Sequence, residues 1–232
     1  MKTNRVFQVQ KTKTARINGS ASSLRARIVA IAGGLFLHRG FVHVTADDLA
    51  AELGISKATL YREFQSKEEI LRAVVHGFMA EMAGGVDSLI RDGTLNFVEK
   101  LARLLALFGG RLSQLGTLFI RDIQKSAPAV WKEIEEFRRD KIITNFTEIL
   151  AAGNRQGLFR GDIDRDLLMQ IFLKLVEEFV NPSEILRSGR SPAATFESII
   201  KVFFQGILTD KGRLDFSART PALFESAKEA AR

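Results

Sequence analysis

From Leu24 onward the apolar residues recur at helical spacing. Leu24, Ile28, Ile31, Leu35 and Phe36 fall near one face. Gly40 follows His38 and Arg39, a pattern that predicts a helix stop with cations in the last turn. Thr45-Ala-Asp-Asp48 has the shape of a capping box with Asp in the place of Glu. It opens a second helix with Leu49, Ala50 and Leu53 on one side, and Gly54 ends it. Ser56 is placed to cap a third helix from Lys57 to about Phe64. Ser66-Lys-Glu-Glu69 is another capping box. The helix it opens runs through Ile70, Leu71, Val74, Val75 and Phe78 to about Met82, and Gly84-Gly85 are expected to close it.

The remainder keeps the same period. Leu95 to Phe108 is amphipathic through Phe97, Leu101, Leu104, Leu105 and Phe108, and Gly109-Gly110 interrupt it. Leu112 to about Ser126 follows. Pro128 suits a helix first turn and opens a long helix to Arg155. Gly153 to Asp164 reads as a loop, and Asp164 caps a helix through Val180 that Asn181-Pro182 end. A last helix spans about Pro192 to Leu208, and the tail after Asp210 is polar. No stretch alternates convincingly with period two, so the fold class is all-α.

Composition narrows the chemistry. The 232 residues include no cysteine, which removes disulfides, thiolate metal sites and cysteine nucleophiles. The three histidines (His38, His43, His76) never stand three or four apart, so a helical two-histidine zinc site is absent. Asp162-Ile-Asp164-Arg-Asp166 begins like a calcium loop, but Leu167 and Leu173 hold its sixth and twelfth positions, so no metal is expected. The first twenty residues lack the apolar core of a secretory signal, and Ile28 to Leu37 is half the length of a membrane span of about 20 residues. The reading is cytoplasmic, with no membrane partner and no cofactor.

The net charge of +7 is unevenly placed. Residues 1–72 hold 12 basic and 6 acidic side chains, a net of +6; residues 73–232 hold 22 and 21, a net of +1. Such asymmetry points to a polyanionic partner at the N-terminal end. Residues 1–22 carry Lys2, Arg5, Lys11, Lys13 and Arg16 with no acid, and read as a mobile basic arm or a plain solvated tail.

The helix over Thr45–Leu53, the turn Gly54-Ile55-Ser56 and the helix over Lys57–Phe64 make a helix-turn-helix. That geometry needs a small residue where the helices cross, which Ala50 supplies, and a turn residue tolerant of positive φ, which is Gly54. Leu49, Leu53, Ile55, Leu60 and Phe64 lock the pair. Lys57, Ala58, Thr59 and Arg62 then face outward with Tyr61 at the edge, a mix that suits a DNA major groove. Glu63 lies among them and would accept from cytosine N4 or pair with a nearby cation.

Residues 54–71, GISKATLYREFQSKEEIL, with the preceding GFVHVT at 40–45, resemble the N-terminal domain of TetR-family transcriptional regulators, over about 50 residues. The resemblance implies that Thr45 caps the second helix and touches a phosphate. It implies that Ala58, Thr59 and Arg62 face the bases, with Lys57 beside them. Tyr61, the only tyrosine among 18 phenylalanines, would reach the DNA backbone, and Lys67 a phosphate. Alanines would be more usual than Gly33-Gly34 in the first helix, and each glycine costs up to about 1 kcal/mol there; close packing on a neighbour would explain them.

The resemblance further implies a division into an arm (1–22), a DNA-binding domain (23–70), a helical ligand-binding and dimerisation domain (71–210) and a tail (211–232). The aromatics of the body are core residues first. Phe108, Phe119, Trp131, Phe137, Phe146 and Phe172 are the candidates to line a site for an apolar or aromatic ligand. The last two long helices would form a homodimer interface through Leu168, Ile171, Phe172, Leu175, Phe179, Ile199, Ile200, Phe203 and Phe204. The function implied is a repressor released from a palindromic operator by a small molecule. The alternative is an architectural or nucleoid-associated DNA-binding protein with no effector. No nucleophile elbow, phosphate loop or catalytic dyad points to an enzyme.

Overall fold

The computed structural model describes residues 23–97, 99–100, 103–104, 107–108, 117–179, 184, 187–190, 192–214 and 216–217. The arm of residues 1–22, the break at Gly109-Gly110, the stop at Asn181-Pro182 and the tail beyond Ser217 lie outside the described residues. Eight helices have defined bounds: α1 Leu24–Arg39, α2 Ala46–Leu53, α3 Lys57–Glu63, α4 Lys67–Arg91, α5 Thr117–Ser126, α6 Pro128–Arg155, α7 Arg165–Phe179 and α8 Pro192–Ile207. Among the described residues there is no strand, only an isolated bridge between Phe159 and Leu208. The expected all-α class holds.

Local chemistry sets most boundaries. Ser23, Ser56 and Ser66 accept from the backbone N–H three residues on, at 3.3, 3.0 and 3.1 Å, and so cap α1, α3 and α4. Asp164 does the same for α7, accepting from Leu167 N at 2.7 Å. Gly54 is left-handed at φ 65°, as the tight α2–α3 turn requires.

Two expectations fail for tertiary reasons. Gly84-Gly85 do not end α4, which continues to Arg91. Val86 and Ile90 beyond them are buried, and Gly85 lies under Leu107, whose methyl is 3.1 Å from where a Cβ would stand. Burial of that apolar face outweighs the roughly 1 kcal/mol per glycine. At the other end, Asp210–Leu214 is helical and Phe216 is 1% exposed, so the core extends past the expected start of the tail at 211.

Two apolar clusters organise the molecule. The first joins Ile28, Phe36, Leu49, Leu60, Phe64 and Leu71 of the head to Phe119, Ile123 and Val130 of α5 and α6. The head therefore closes its core with side chains from the body, beyond the boundary expected at residue 70. The second is built on phenylalanine: Phe146 stacks on Phe172 at 4.1 Å, while Phe97, Phe159, Phe203 and Phe204 make edge and tilted contacts around them. Helices α4 and α6 run through both clusters. They are tied by Arg72 Nε to Glu133 Oε1 at 2.9 Å, His76 Nε2 to Glu133 Oε2 at 2.7 Å, and Lys141 to Asp87 at 3.3 Å.

The glycines of α1 differ from each other. A Cβ on Gly33 would meet Val74 of α4 at 3.4 Å, an ordinary van der Waals contact, so α4 packs against it without excluding a methyl. Nothing lies within 4 Å of a Cβ on Gly34, and packing does not account for either glycine. Gly34→Ala should therefore raise stability by up to about 1 kcal/mol, read as a rise in Tm of about 2–4 °C. A fall in Tm would contradict it.

Candidate nucleic-acid interface

The site is built on α2 and α3. Thr45 and Asp48 form a full capping box: Thr45 Oγ1 accepts from Asp48 N at 3.1 Å, and Asp48 Oδ2 accepts from Thr45 N at 2.8 Å. The Thr45 hydroxyl also donates to Asp48 Oδ2 at 2.6 Å. These side-chain and backbone hydrogen bonds hold the Asp48 carboxyl below its ordinary range. The capping role expected of Thr45 is present. Its hydroxyl proton is donated inside the box, so it is not presented to a phosphate.

Helix α3 buries Leu60 and turns its other side outward. Lys57, Ala58, Tyr61 and Arg62 are exposed, Tyr61 by 41%, and Thr59 is half-buried with its hydroxyl 2.9 Å from that of Ser56. Arg62 has no ion-pair partner among the described residues. Lys57 pairs with Asp47 at 3.0 Å, but both side chains are at least half exposed, so water and salt screen the pair and Lys57 can exchange it for a phosphate. Glu63 is half-buried.

Lys67 departs from the phosphate role expected of it. Its Nζ donates to the carbonyls of Phe41 and Val44 at 2.9 Å and of Val42 at 3.4 Å, and lies 4.4 Å from the centre of the Phe41 ring. All three ammonium protons are engaged by the α1–α2 loop. Burial lowers its pKa below the ordinary lysine value, and the charge of Asp122 offsets part of that.

Two further residues hold the site in place without a local signal in the sequence. Arg25 of α1 lies over the Phe64 ring at 3.8 Å, donates to the Glu63 carbonyl at the end of α3, and pairs with Glu69 at 2.9 Å. Glu69 turns its other oxygen to Gln65 N at 2.7 Å, so the second capping box is completed one residue early. Hydrogen bonding from Arg25 and Gln65 keeps the Glu69 carboxyl below its usual range. Asp122 of α5 is only 8% exposed, and its Oδ2 accepts from Val42 N at 2.9 Å. Both residues act over 38 to 80 positions, and no local spacing signals such ties.

In the body, the proposed ligand set divides. Phe119 and Trp131 pack in the head-side cluster, because α5 crosses α1 and α6 starts beside it; they do not share a site with the others. Phe146 and Phe172 form the stacked pair of the body, with Phe108 against the same cluster and Phe137 half-buried on α6.

The proposed dimer set divides too. Leu168, Phe172, Ile200, Phe203 and Phe204 are buried within the protomer, the three phenylalanines against Phe146, whereas Ile199, though largely buried, lines the outer groove. Ile171, Phe179 and, half-buried, Leu175 remain on the outer face, joined by Leu167 and by Val202, which is 75% exposed. A groove of about 500 Å³ runs there, lined by Leu175, Phe179, Thr195 and Val202 among others.

An exposed short helix bearing Arg, Tyr and small side chains, locked by a left-handed Gly turn on a capped helix, defines a helix-turn-helix DNA-binding protein. The comparisons carry this further. The family model for bacterial regulatory proteins of the tetR family matches residues 28–74. The chain is 28% identical over 187 residues to the uncharacterized HTH-type transcriptional regulator YvaF of Bacillus subtilis, covering 80% of this chain and 96% of that one. It is also 28% identical over 156 residues to the HTH-type transcriptional repressor KstR2 of Mycobacterium tuberculosis, covering 66% of this chain and 78% of the relative. In fold it is similar to a TetR-family regulator from Marinobacter aquaeolei, with a TM-score of 0.63 at 19% identity over 86% of this chain and 98% of that one. Residues 28–74 thus match the tetR family of bacterial regulatory proteins, and the chain is similar over most of its length to HTH-type transcriptional regulators. No helix among the described residues is long and apolar enough to cross a membrane.

Proposed function

We propose that the chain is a cytoplasmic, homodimeric repressor that holds a palindromic operator until a small apolar or aromatic ligand enters the body. The observation that carries the DNA-binding half is the exposed face of α3, where Ala58, Tyr61 and Arg62 stand together above a locked turn. Arg62 is suited to guanine O6 and N7, the Ala58 methyl to thymine, and Tyr61 and Lys57 to the backbone. The apolar outer face of α7 and α8 supports a two-fold pairing that sets two α3 helices one DNA turn, about 34–36 Å, apart. The repressor name of the KstR2 relative supports repression. The phenylalanine-rich core of the body, with Phe146, Phe172 and the adjoining Phe108, supports an apolar or aromatic ligand. A ligand that binds better to a different head spacing lowers operator affinity by that difference.

The test compares two cations on a duplex selected by the wild-type protein. Arg62→Ala should weaken binding by about 1–3 kcal/mol and relax the base preference at one position of each half-site. Lys67→Met should lower thermal stability and leave the slope of log Kd against log salt unchanged, because its ammonium serves the loop. A slope smaller by about 1 for Lys67→Met would make it a phosphate contact. Full specificity in Arg62→Ala would remove α3 from base reading.

A further inference from the structure

The α1–α2 loop, residues 40–44, is held from two sides by opposite charges. From α4, Lys67 Nζ takes the loop's carbonyls at Phe41, Val42 and Val44. From α5, Asp122 Oδ2 takes its N–H at Val42, at 2.9 Å. Gly40 fits against this carboxylate so closely that a Cβ there would stand 2.7 Å from Oδ2. The loop leads directly into the Thr45 capping box that starts α2. Asp122 is buried, so losing Val42 N–H would cost its carboxylate a hydrogen bond away from bulk water.

We infer that Asp122 is a positioning residue for the DNA-binding head: from the body, it fixes the α1–α2 loop, and with it the seat of α2 and α3. The inference rests on the DNA-binding reading above. The donors face the loop from α4 and the acceptor from α5, so a displacement of α5 relative to α4 pulls the loop's carbonyls and its N–H apart. A loosened loop leaves only a fraction of heads in the binding arrangement, and the apparent Kd rises by the inverse of that fraction.

The experiment uses the full chain with two variants, Asp122→Ala and Asp122→Asn. Binding to the duplex selected by the wild type is measured at several salt concentrations, and amide exchange is followed over residues 41–45. Asp122→Ala should bind about tenfold more weakly with an unchanged salt slope and faster exchange in the loop, as expected for loss of one hydrogen bond to a charged group. Asp122→Asn keeps an acceptor for Val42 N–H and should recover most of the affinity and protection. If Asp122→Ala does not fold, Asp122→Glu replaces it: the longer chain drives the carboxylate into Gly40, and the same tenfold loss is expected. Wild-type affinity and exchange in Ala or Glu would overturn the inference, as would an Asn variant as weak as Ala. A wild-type protein that enriches no duplex contradicts the DNA-binding reading instead, and the exchange measurement still decides the clamp.

Discussion

Gly40→Ala is expected to be the most damaging single methyl in the head. Gly40 has φ 82° and ψ 153°, a region that essentially only glycine occupies, and a side chain forced into it costs about 1–3 kcal/mol. The added Cβ also meets Asp122 Oδ2 at 2.7 Å. That carboxylate cannot retreat without giving up Val42 N–H, and overpacking of this kind costs about 1–3 kcal/mol more. Together these predict a fall in Tm of about 5–15 °C by thermal unfolding. An unchanged Tm would show that the loop tolerates rearrangement and that its clamp is weak. Gly34→Ala is the natural control, since the same added methyl enters open space within α1, the helix that Gly40 terminates.

The second large effect is expected at Val202. It lies on the outer face of α8 and is 75% exposed in the protomer, in the groove it shares with Leu175 and Phe179 of α7. Under a two-fold axis this face meets its own copy, so Val202→Glu buries two like charges against each other and removes an apolar anchor from each side. Sedimentation should show a monomer. Operator affinity should fall by about 10²–10⁴, because the second half-site is no longer bound by a tethered head. The fold of the protomer should persist, as Val202 contributes little to its interior. A variant that remains dimeric would move the interface away from α7 and α8.

What was legible in the sequence was local. The caps at Thr45, Ser56 and Asp164, the turn at Gly54 and the outward positions of Lys57, Ala58, Tyr61 and Arg62 are decided by neighbours within four residues and appear in the structure, while Thr59 is half-buried against Ser56. The misreadings share one cause, which is distance along the chain. Gly84-Gly85 look like a helix stop until Leu107 is packed on Gly85. Lys67 looks like a phosphate ligand until Phe41 and Val44 offer it carbonyls. Phe119 and Phe146 share the same helical spacing, and only tertiary packing assigns one to the head and the other to the body. The spacing of α7 and α8 gave two apolar faces without saying which is inner. The stacking of Phe172 on Phe146 decides it and leaves Ile171 outside.

The same packing explains how the body can affect the head. The head core is completed by Phe119, Ile123 and Val130, and its loop is held by Asp122, all on α5 or α6. The N-terminal helices do not form a separate bead on a linker.

The central claim is that two copies of this chain present α3 to adjacent major grooves. Selection of bound duplexes from a random pool by the full-length wild-type protein tests it most directly. The account predicts an enriched inverted repeat whose half-site centres lie about 10 base pairs, or one helical turn, apart. A pool that shows no enrichment, or a single unpaired site, would contradict it.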